Sequence, residues 1–222
     1  LGPVEGNAQL RAHWDTWYIE EHIKDLADRG VEMVRLPIGD WTLDPYGPYV
    51  GCMDGSADYI DWMYDICAKY NISVLMDVHT AKGSQNGFDN GGIRNKVTWI
   101  NDTHYSYDDI AEWMGPWDME NGGYKYIDHD NIQRSFEVSA HLLQRWGNHS
   151  AFAAYEPVNE PWWATPKEPL FDFYRKVRAL VRMYAPQAKF VFHDSFIYSA
   201  EYWNDLFDDD DHDDVVMDHH YY

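Results

Sequence analysis

The sequence predicts an α/β fold built around a parallel sheet. Helix-like and strand-like segments alternate five times along the 222 residues, a pattern typical of parallel strands joined by helical crossovers. Polar side chains collect where each predicted strand ends. No glycine-rich phosphate turn follows these strands, which counts against nucleotide-binding forms of the fold. Closed barrels and doubly wound sheets both bind ligands at the carboxyl ends of their strands, so the pattern leaves both arrangements open.

The first two units each predict a helix followed by a strand. The first helix ends at Gly30, and the strand after it, residues 31–37, ends at Pro37 because proline cannot donate to a sheet ladder. Ser56 is predicted to cap the second helix, and the nearly continuous apolar run at residues 72–79 is typical of a strand buried on both faces. The apolar face of the first helix consists of Ile19, Ile23, Leu26 and Ala27.

Residues 80–129 show no sustained periodicity. An irregular stretch of this length inside a compact domain is usually functional or disordered. The many large rings in it favour a functional segment, because such rings are not left mobile in water. They are Phe88, Trp99, Tyr105, Tyr107, Trp113, Trp117, Tyr124 and Tyr126.

Three further units complete the alternation. Asp130, with Gln133 three residues on, is predicted to cap a helix that ends at Gly147. The later segments are a strand-like run at 152–161, an amphipathic helix from Leu170 to Tyr184, a strand at 189–194, a weaker helix around Tyr202 and Leu206, and a last strand at 215–222.

Composition restricts the possible partners. The formal net charge of −21 repels phosphate backbones and anionic lipids, so nucleic-acid and membrane-surface roles are not expected. No apolar run reaches the roughly 18 residues of a membrane-spanning helix. With 45% hydrophobic residues the chain can bury a core, and similar units in series favour one domain over residues 1–222. We expect a monomer.

Aromatic content gives the first indication of a ligand. The chain has 11 Trp, 17 Tyr and 9 Phe, and sugar rings stack well on such side chains. The alternative interpretation is a tryptophan-rich core with half-buried rims, and composition alone does not decide between them.

Several motifs together resemble glycoside hydrolase family 5. They are Asn159-Glu160-Pro161 after an apolar strand, Arg35 before Leu-Pro-Ile-Gly-Asp-Trp, and His79 in Asp-Val-His. More closely, the sequence resembles the fungal-type exo-β-1,3-glucanase branch at residues 83–90, 193–196, 202–204 and 218–222. The resemblance covers the chain from about Trp14 to Tyr222.

This resemblance implies a (β/α)₈ TIM barrel, a retaining mechanism and a β-glucan oligosaccharide or polysaccharide as substrate. We expect a truncated partial barrel containing about strands 2 to 6, lacking the family's first strand and its last two. The nucleophilic Glu of the family follows a later strand, so we expect residues 1–222 alone to be inactive and the parent protein to hydrolyse glucan.

The resemblance also assigns roles to residues. Glu160 corresponds to the general acid/base, and Arg35, His79, Asn159, His220 and Tyr222 correspond to supporting site residues. Acetal cleavage needs an acid to protonate the leaving oxygen and a second carboxylate at the anomeric carbon. Arg35 remains open between a site residue and a structural ion pair. The long loop and the segment after Glu160 are expected to supply cleft-wall rings, namely Phe88 and some of Trp99, Trp113, Trp117 and Trp163.

Two other functions compete with a glycosidase. A metal-dependent barrel hydrolase is suggested by histidines at predicted strand ends, His79, His193, His219 and His220, although HxH and HExxH spacings are missing. A carbohydrate-binding barrel without activity would use the aromatic residues alone. The glycosidase interpretation requires no metal and no cofactor.

The expected location is extracellular, secreted or cell-wall associated. Three glycosylation sequons, at Asn71, Asn101 and Asn148, give weak support because such triplets arise often by chance. Cys52 and Cys67 are too few for a disulfide framework and are predicted to be packing residues.

Overall fold

A five-stranded parallel sheet forms the centre of the protein. The computed structural model describes residues 1–92, 96–101, 104–108, 111–118, 120–121, 123–207 and 212–222, with the backbone alone at 96–101 and 104–108. The strands are β1 Met33–Ile38, β2 Ser73–Val78, β3 Lys96–Asn101, β4 His104–Asp108, β5 Phe152–Glu156, β6 Lys189–His193 and β7 Val215–Asp218. The order in the parallel sheet is β1-β2-β5-β6-β7, and β3 and β4 form a separate antiparallel hairpin.

The strand order decides between the two arrangements that the sequence left open. Each parallel strand pairs with the next parallel strand along the chain, without a reversal of order. A doubly wound sheet requires such a reversal, and its ligand site lies at that point. The described sheet therefore winds in one direction, as the strands of a (β/α) barrel do.

Helices connect and flank the strands. They are α1 Pro3–Trp17, α2 Glu20–Asp28, α3 Ser56–Lys69, α4 His129–Trp146, α5 Lys167–Tyr184 and α6 Ala200–Trp203. The helices predicted from periodicity are present, but α1 was missed. No residue of α1 is buried. The helix therefore has no apolar face towards the core, and its sequence lacks the helical periodicity of apolar residues that would predict it. Among the described residues, no helix is long and apolar enough to cross a membrane.

Aromatic rings fill the space between the sheet and its helices. Tyr64 of α3 stacks on Phe152 with ring centroids 5.9 Å apart, and Tyr174 of α5 packs edge-on to Phe190 at 6.1 Å. Each of these four side chains is at most 1% exposed. The interpretation of the aromatic content as core is therefore correct for a large share of the rings.

Several predicted element boundaries were wrong. The strands predicted at residues 152–161 and 215–222 end at Glu156 and Asp218. Pro37 does not end the first strand: it lies inside β1 opposite Asp77, which is possible because β1 is an edge of the described sheet. Ser56 does not cap α3, since it is already the first helical residue and its hydroxyl has no partner among the described residues. Gly55 occupies the cap position with a φ of +81°, a conformation that glycine adopts without strain.

The cap of α4 was also misplaced by two residues. The helix begins at His129, so Asp130 lies within its first turn. Asp128 is the cap residue, and its carboxylate accepts a hydrogen bond of 2.9 Å from the backbone N–H of Asn131. The backbone N–H of Asp128 in turn donates to the carbonyl of Met114 at 2.9 Å, which fixes where the helix starts.

We expect Asp128→Ala to lower the free energy of unfolding by about 1 kcal/mol, the usual cost of losing an N-cap side chain. Asp130→Ala is the matched control, and it should cost only a few tenths of a kcal/mol because it loses a helix-dipole interaction alone. Urea denaturation of both variants measures the difference. Equal losses would contradict the cap assignment.

The segment at residues 80–129 is more regular than predicted, because it contains the β3–β4 hairpin. Trp113, expected as a possible cleft wall, is instead a core residue. It is fully buried, donates from its ring nitrogen to Ser135 at 2.9 Å and packs edge-on against Phe173. Trp117 is half-buried against Tyr124. The side chain of Trp99 lies outside the described residues.

Candidate active site

Glu160 lies just beyond β5, at the carboxyl end of the sheet. Its carboxylate is almost fully buried and accepts hydrogen bonds from three side chains. Asn90 donates to Oε2 at 2.7 Å, His220 lies with Nδ1 2.6 Å from Oε1, and the hydroxyl of Tyr222 donates to the same Oε1. The sheet thus brings together residues from positions 90, 160, 220 and 222.

The donors control the charge of Glu160. Burial raises the pKa of Glu160, but the hydrogen bonds from Tyr222, His220 and Asn90 together outweigh burial and hold the pKa below its usual value. The same contact raises the pKa of Tyr222 to about 12, so this phenol stays a donor. In this arrangement Glu160 is therefore ionised near neutral pH.

The backbone at Glu160 is held in an unusual conformation. Its φ is +47°, in the left-handed region that residues with a side chain rarely adopt. The amide of Asn86 donates to the Glu160 carbonyl at 3.0 Å and so helps to fix it. Such strained positions persist where surrounding contacts determine them, often in functional sites.

Gln85 connects the ends of β2 and β5. Its side-chain amide donates to the carbonyls of His79 at 3.0 Å and Asn159 at 2.8 Å, and its own carbonyl accepts from the Ala81 N–H at 3.1 Å. Gln85 is 1% exposed. Residues 84–87 of this loop are buried, and the loop places both Asn86 and Asn90 in contact with Glu160.

Arg35 is the cation at the centre of the strand ends. Its Nη2 donates to Glu156 and to the side-chain carbonyl of Asn159, each at 2.8 Å, and lies 3.3 Å from Asp77. Arg35 therefore has both of the roles considered for it. It forms ion pairs with buried carboxylates, and it orients Asn159, the residue beside Glu160. The side-chain nitrogen of Asn159 is buried and has no partner among the described residues.

Glu156 and Asp77 are both fully buried beneath Arg35. Burial, followed by the nearby negative charge of Asp77, raises the pKa of Glu156 to about 8 against the opposing attraction of Arg35. His79 lies with Nδ1 2.6 Å from Asp77 Oδ2. Arg35 and His79, both predicted as site residues, thus contact the same carboxylate, that of Asp77.

The aromatic residues near the site form a small cluster. Phe88 is half-buried and packs edge-on to Trp162 with centroids 5.8 Å apart. Trp163 is 56% exposed and its ring lies 5.4 Å from that of Trp162. Phe88 lies between Asn86 and Asn90, which both donate to Glu160, and Trp163 follows Glu160 by three positions in the chain.

Sequence reasoning missed several residues of this network. Asp77 and Glu156 are charged residues within otherwise apolar strands, a signal that could have identified them because burial of an unpaired charge is costly. Asn90 and Asp218 lay inside the quoted motifs but received no role. Gln85 lay inside the same motif as Asn90, residues 83–90, and likewise received no role.

A metal-binding group is disfavoured by the hydrogen bonds of its members. Glu160, His193 and His220 each place one ligand-type atom within 4.8 Å of the others. However, His193 Nδ1 accepts the backbone N–H of Ser195 at 3.0 Å, so the ring proton resides on Nε2, which then has no lone pair to offer. Both ring nitrogens of His220 face carboxylates, those of Glu160 and Asp218.

The comparisons with known proteins agree on one class. No family model matches the chain. The chain is 33% identical over 227 residues to a glucan 1,3-beta-glucosidase of Pichia angusta and 30% identical to a probable glucan 1,3-beta-glucosidase A of Aspergillus terreus, each alignment covering all of this chain. It covers 46% and 47% of these relatives, so it spans about half their length.

Solved structures share the fold. A rutinosidase from Aspergillus niger superposes with a TM-score of 0.66 at 21% identity, covering 93% of this chain and 55% of that one. An endoglucanase Cel5A from Pseudomonas stutzeri gives a TM-score of 0.56 at 15% identity, covering 90% and 51%.

The relatives and the solved structures with this fold belong to one class, the glycoside hydrolases, and this chain has a one-way parallel sheet with a buried, multiply hydrogen-bonded glutamate at its carboxyl end. Within that class, the resemblance predicted from the motifs is confirmed. The chain is a relative of the glucan 1,3-β-glucosidases of glycoside hydrolase family 5.

Proposed function

We propose that the full-length protein hydrolyses β-1,3-glucan by a retaining double displacement in which Glu160 is the general acid/base. The observation that supports this most strongly is the set of donors around the Glu160 carboxylate at the carboxyl ends of the strands. The names of the relatives supply the linkage, and the unidirectional sheet fits part of a (β/α)₈ barrel.

In this mechanism Glu160 acts twice. It first protonates the leaving glycosidic oxygen while a second carboxylate attacks the anomeric carbon, and it then takes a proton from the water that releases the sugar. The second carboxylate must lie ~5 to 5.5 Å from the first in a retaining enzyme. None of the acidic residues that the structure describes is assigned this role.

The other site residues prepare the sugar and the charges. Arg35 holds the Asn159 side-chain carbonyl, which leaves the Asn159 amide hydrogens for a hydroxyl next to the reacting carbon. Phe88 and Trp163 offer ring faces for sugar stacking, which contributes to binding without selecting the bond that breaks. We propose exo-action with release of glucose, by a secreted or cell-wall associated monomer.

The test is incubation of the purified full-length protein with a laminarin-type glucan, followed over time by proton NMR. We expect β-configured glucose to appear first, because two displacements retain configuration. Appearance of α-glucose first would contradict the retaining mechanism. Binding of glucan without any cleavage would instead support a carbohydrate-binding protein.

We expect Phe88→Ala to raise KM for laminari-oligosaccharides several-fold while leaving kcat within about twofold, since a lost stacking contact is worth roughly 0.5–1.5 kcal/mol. Steady-state kinetics against chain length measure this. Trp17→Ala, which removes an exposed ring from α1, is the control and should leave both constants unchanged. Identical KM values for Phe88→Ala and the parent at every chain length would contradict the assignment.

A further inference from the structure

His220 lies between two carboxylates. Its Nδ1 is 2.6 Å from Oε1 of Glu160, and its Nε2 is 3.0 Å from Oδ2 of Asp218. A neutral imidazole has a single N–H, so it can donate to one carboxylate and must present a lone pair to the other. An imidazolium donates to both. The close approach at both nitrogens therefore favours a shared extra proton in the chain Asp218, His220 and Glu160.

The groups around these three hydrogen-bonded residues also favour an extra proton on His220 between two carboxylates. Nη2 of Arg35 lies 3.7 Å from Oδ2 of Asp218, which places a positive charge beside the carboxylate that faces His220 Nε2. The Tyr222 hydroxyl lies 3.4 Å from His220 Nδ1 and donates to Glu160. Beyond Arg35 are the buried carboxyl groups of Asp77 and Glu156.

His193 packs against the other side of His220, with ring centroids 4.6 Å apart. Burial lowers the pKa of His193 to about 4, and its Nδ1 is occupied by the Ser195 N–H. It is therefore a neutral neighbour, which adds no positive charge to compete with a proton on His220.

Glu160 needs a source of protons, and the hydrogen-bonded series Asp218, His220 and Glu160 can supply one. Three donors hold it ionised, yet protonation of a leaving oxygen needs a proton on it. A proton bound to His220, which is hydrogen-bonded to Glu160, leaves Glu160 ionised at rest and is available for transfer when the leaving oxygen needs it.

We propose that Asp218 is a positioning residue that retains a transferable proton on His220, and that Glu160 delivers this proton to the leaving sugar oxygen. The inference rests on the proposed acid/base role of Glu160. The N–H bond at His220 Nδ1 breaks as an O–H bond forms at Glu160 Oε1, and that O–H bond breaks as the glycosidic oxygen takes the proton. His220 is then neutral, with its remaining hydrogen on Nε2 towards Asp218.

The second half-reaction restores the starting state. Glu160 accepts a proton from the attacking water, whose oxygen bonds to the anomeric carbon as the bond from that carbon to the second carboxylate breaks. The proton then returns to His220 Nδ1. One proton has left with the first product and one has come from water, so the count balances. Asp218 touches neither sugar nor water in this sequence, and acts only through His220.

The test variant is Asp218→Asn in the full-length protein, because asparagine can still accept from His220 Nε2 while lacking the negative charge. We expect the alkaline limb of the kcat/KM profile on glucan to move to lower pH by about one unit, the shift that loss of one neighbouring opposite charge produces. An activated aryl glucoside, whose leaving group needs little protonation, should show a much smaller movement. Asp218→Glu, which keeps the charge, should restore part of the parent profile.

Asp172→Asn is the matched control for the change in net charge. Asp172 forms an exposed pair with Lys176 at 2.7 Å on α5, and its replacement should leave the profile unmoved. An unmoved alkaline limb in Asp218→Asn, with the variant folded by circular dichroism, would overturn the proposal.

A second measurement separates this inference from the proposed function. In protein labelled with ¹⁵N-histidine, the resonances of His220 are identified by their loss in His220→Gln, and their protonation midpoint is followed by NMR. We expect the midpoint to be about one pH unit lower in Asp218→Asn than in the parent. A parent that cleaves no glucan, together with a shifted midpoint, would reject the proposed function while preserving control of the His220 proton by Asp218. Equal midpoints would reject that control whatever the activity.

Discussion

Replacement of Glu160 by glutamine is expected to reduce hydrolysis of laminarin-type glucan by at least about 10³-fold, within the range that general acid/base groups contribute. The amide preserves the size of the side chain but can neither give nor take the proton. The leaving oxygen of glucan is poorly acidic, so its departure depends on that proton. Steady-state kinetics of the full-length variant on glucan measure the loss.

The choice of substrate makes this expectation specific. An activated aryl glucoside departs with little protonation, so its first step should be much less affected by Glu160→Gln. The second step still lacks its base, so a rapid burst of phenol followed by slow turnover is expected. Absence of this burst, with the first step on the aryl glucoside slowed as much as cleavage of glucan, would contradict an acid/base role and would indicate damage to the fold or to binding.

Glu137→Gln is the matched control for this substitution. Glu137 is exposed on α4, where its carboxylate accepts a hydrogen bond of 2.9 Å from Gln133. The same chemical change at this position should leave both activities unaltered. Thermal unfolding of both variants shows whether Glu160→Gln remains folded, and the loss of three charge-assisted hydrogen bonds should be partly offset because burial opposes the charge of Glu160.

The sheet was predictable because burial leaves a clear pattern in parallel strands. Residues 72–79 read as a strand since both faces of β2 are covered: the adjacent residues Met76 and Asp77 point to opposite faces, and both are fully buried. The direction of winding was not predictable from periodicity. It depends on which strands are neighbours, and only the pairing of β1, β2, β5, β6 and β7 in chain order revealed it.

The predicted start of α4 was wrong because a single side chain determines it. Asp128 and Asp130 have the same side chain, and the sequence favoured Asp130 as the cap only because Gln133 follows it by three residues. The contact of the Asp128 N–H with the Met114 carbonyl, 14 positions away, fixed the start of α4 instead. Long-range backbone contacts of this kind carry no local signal.

The proposed site was predictable to the extent that its residues end strands. His220 and Tyr222 are two positions apart, a spacing that places side chains of an extended segment on the same side. Both contact Glu160, as that spacing suggested. Asn90 reaches Glu160 from a loop whose path is set by the buried side chain of Gln85. Its place in the site therefore depends on tertiary structure that periodicity does not describe.

Arg35→Met is expected to lower the free energy of unfolding by about 3–5 kcal/mol, the cost of removing one partner from a buried ion pair. Glu156 and Asp77 are both fully buried, and Arg35 is the Lys or Arg side chain that pairs with them among the described residues. Methionine fills a similar volume, so the loss is electrostatic. Arg145→Met is the control: its pair with Asp61 is exposed on both sides, and it should cost no more than about 1 kcal/mol.

The pH dependence of stability identifies the carboxyl group responsible. The folded-state pKa of Glu156 is raised to about 8, so between its ordinary value and about pH 8 the folded protein binds more protons than the unfolded chain. The contribution of Glu156 to the free energy of unfolding is therefore complete below the ordinary pKa of a glutamate, and it declines as the pH rises to about 8. Without Arg35 the charged form loses its main attraction, so the pKa of Glu156 should rise further and the decline should extend to higher pH. Glu156→Gln combined with Arg35→Met removes the buried titrating group, and urea denaturation from pH 5 to 9 should then show much of the pH-dependent loss abolished. A double variant as pH-sensitive as Arg35→Met alone would assign the effect to another group.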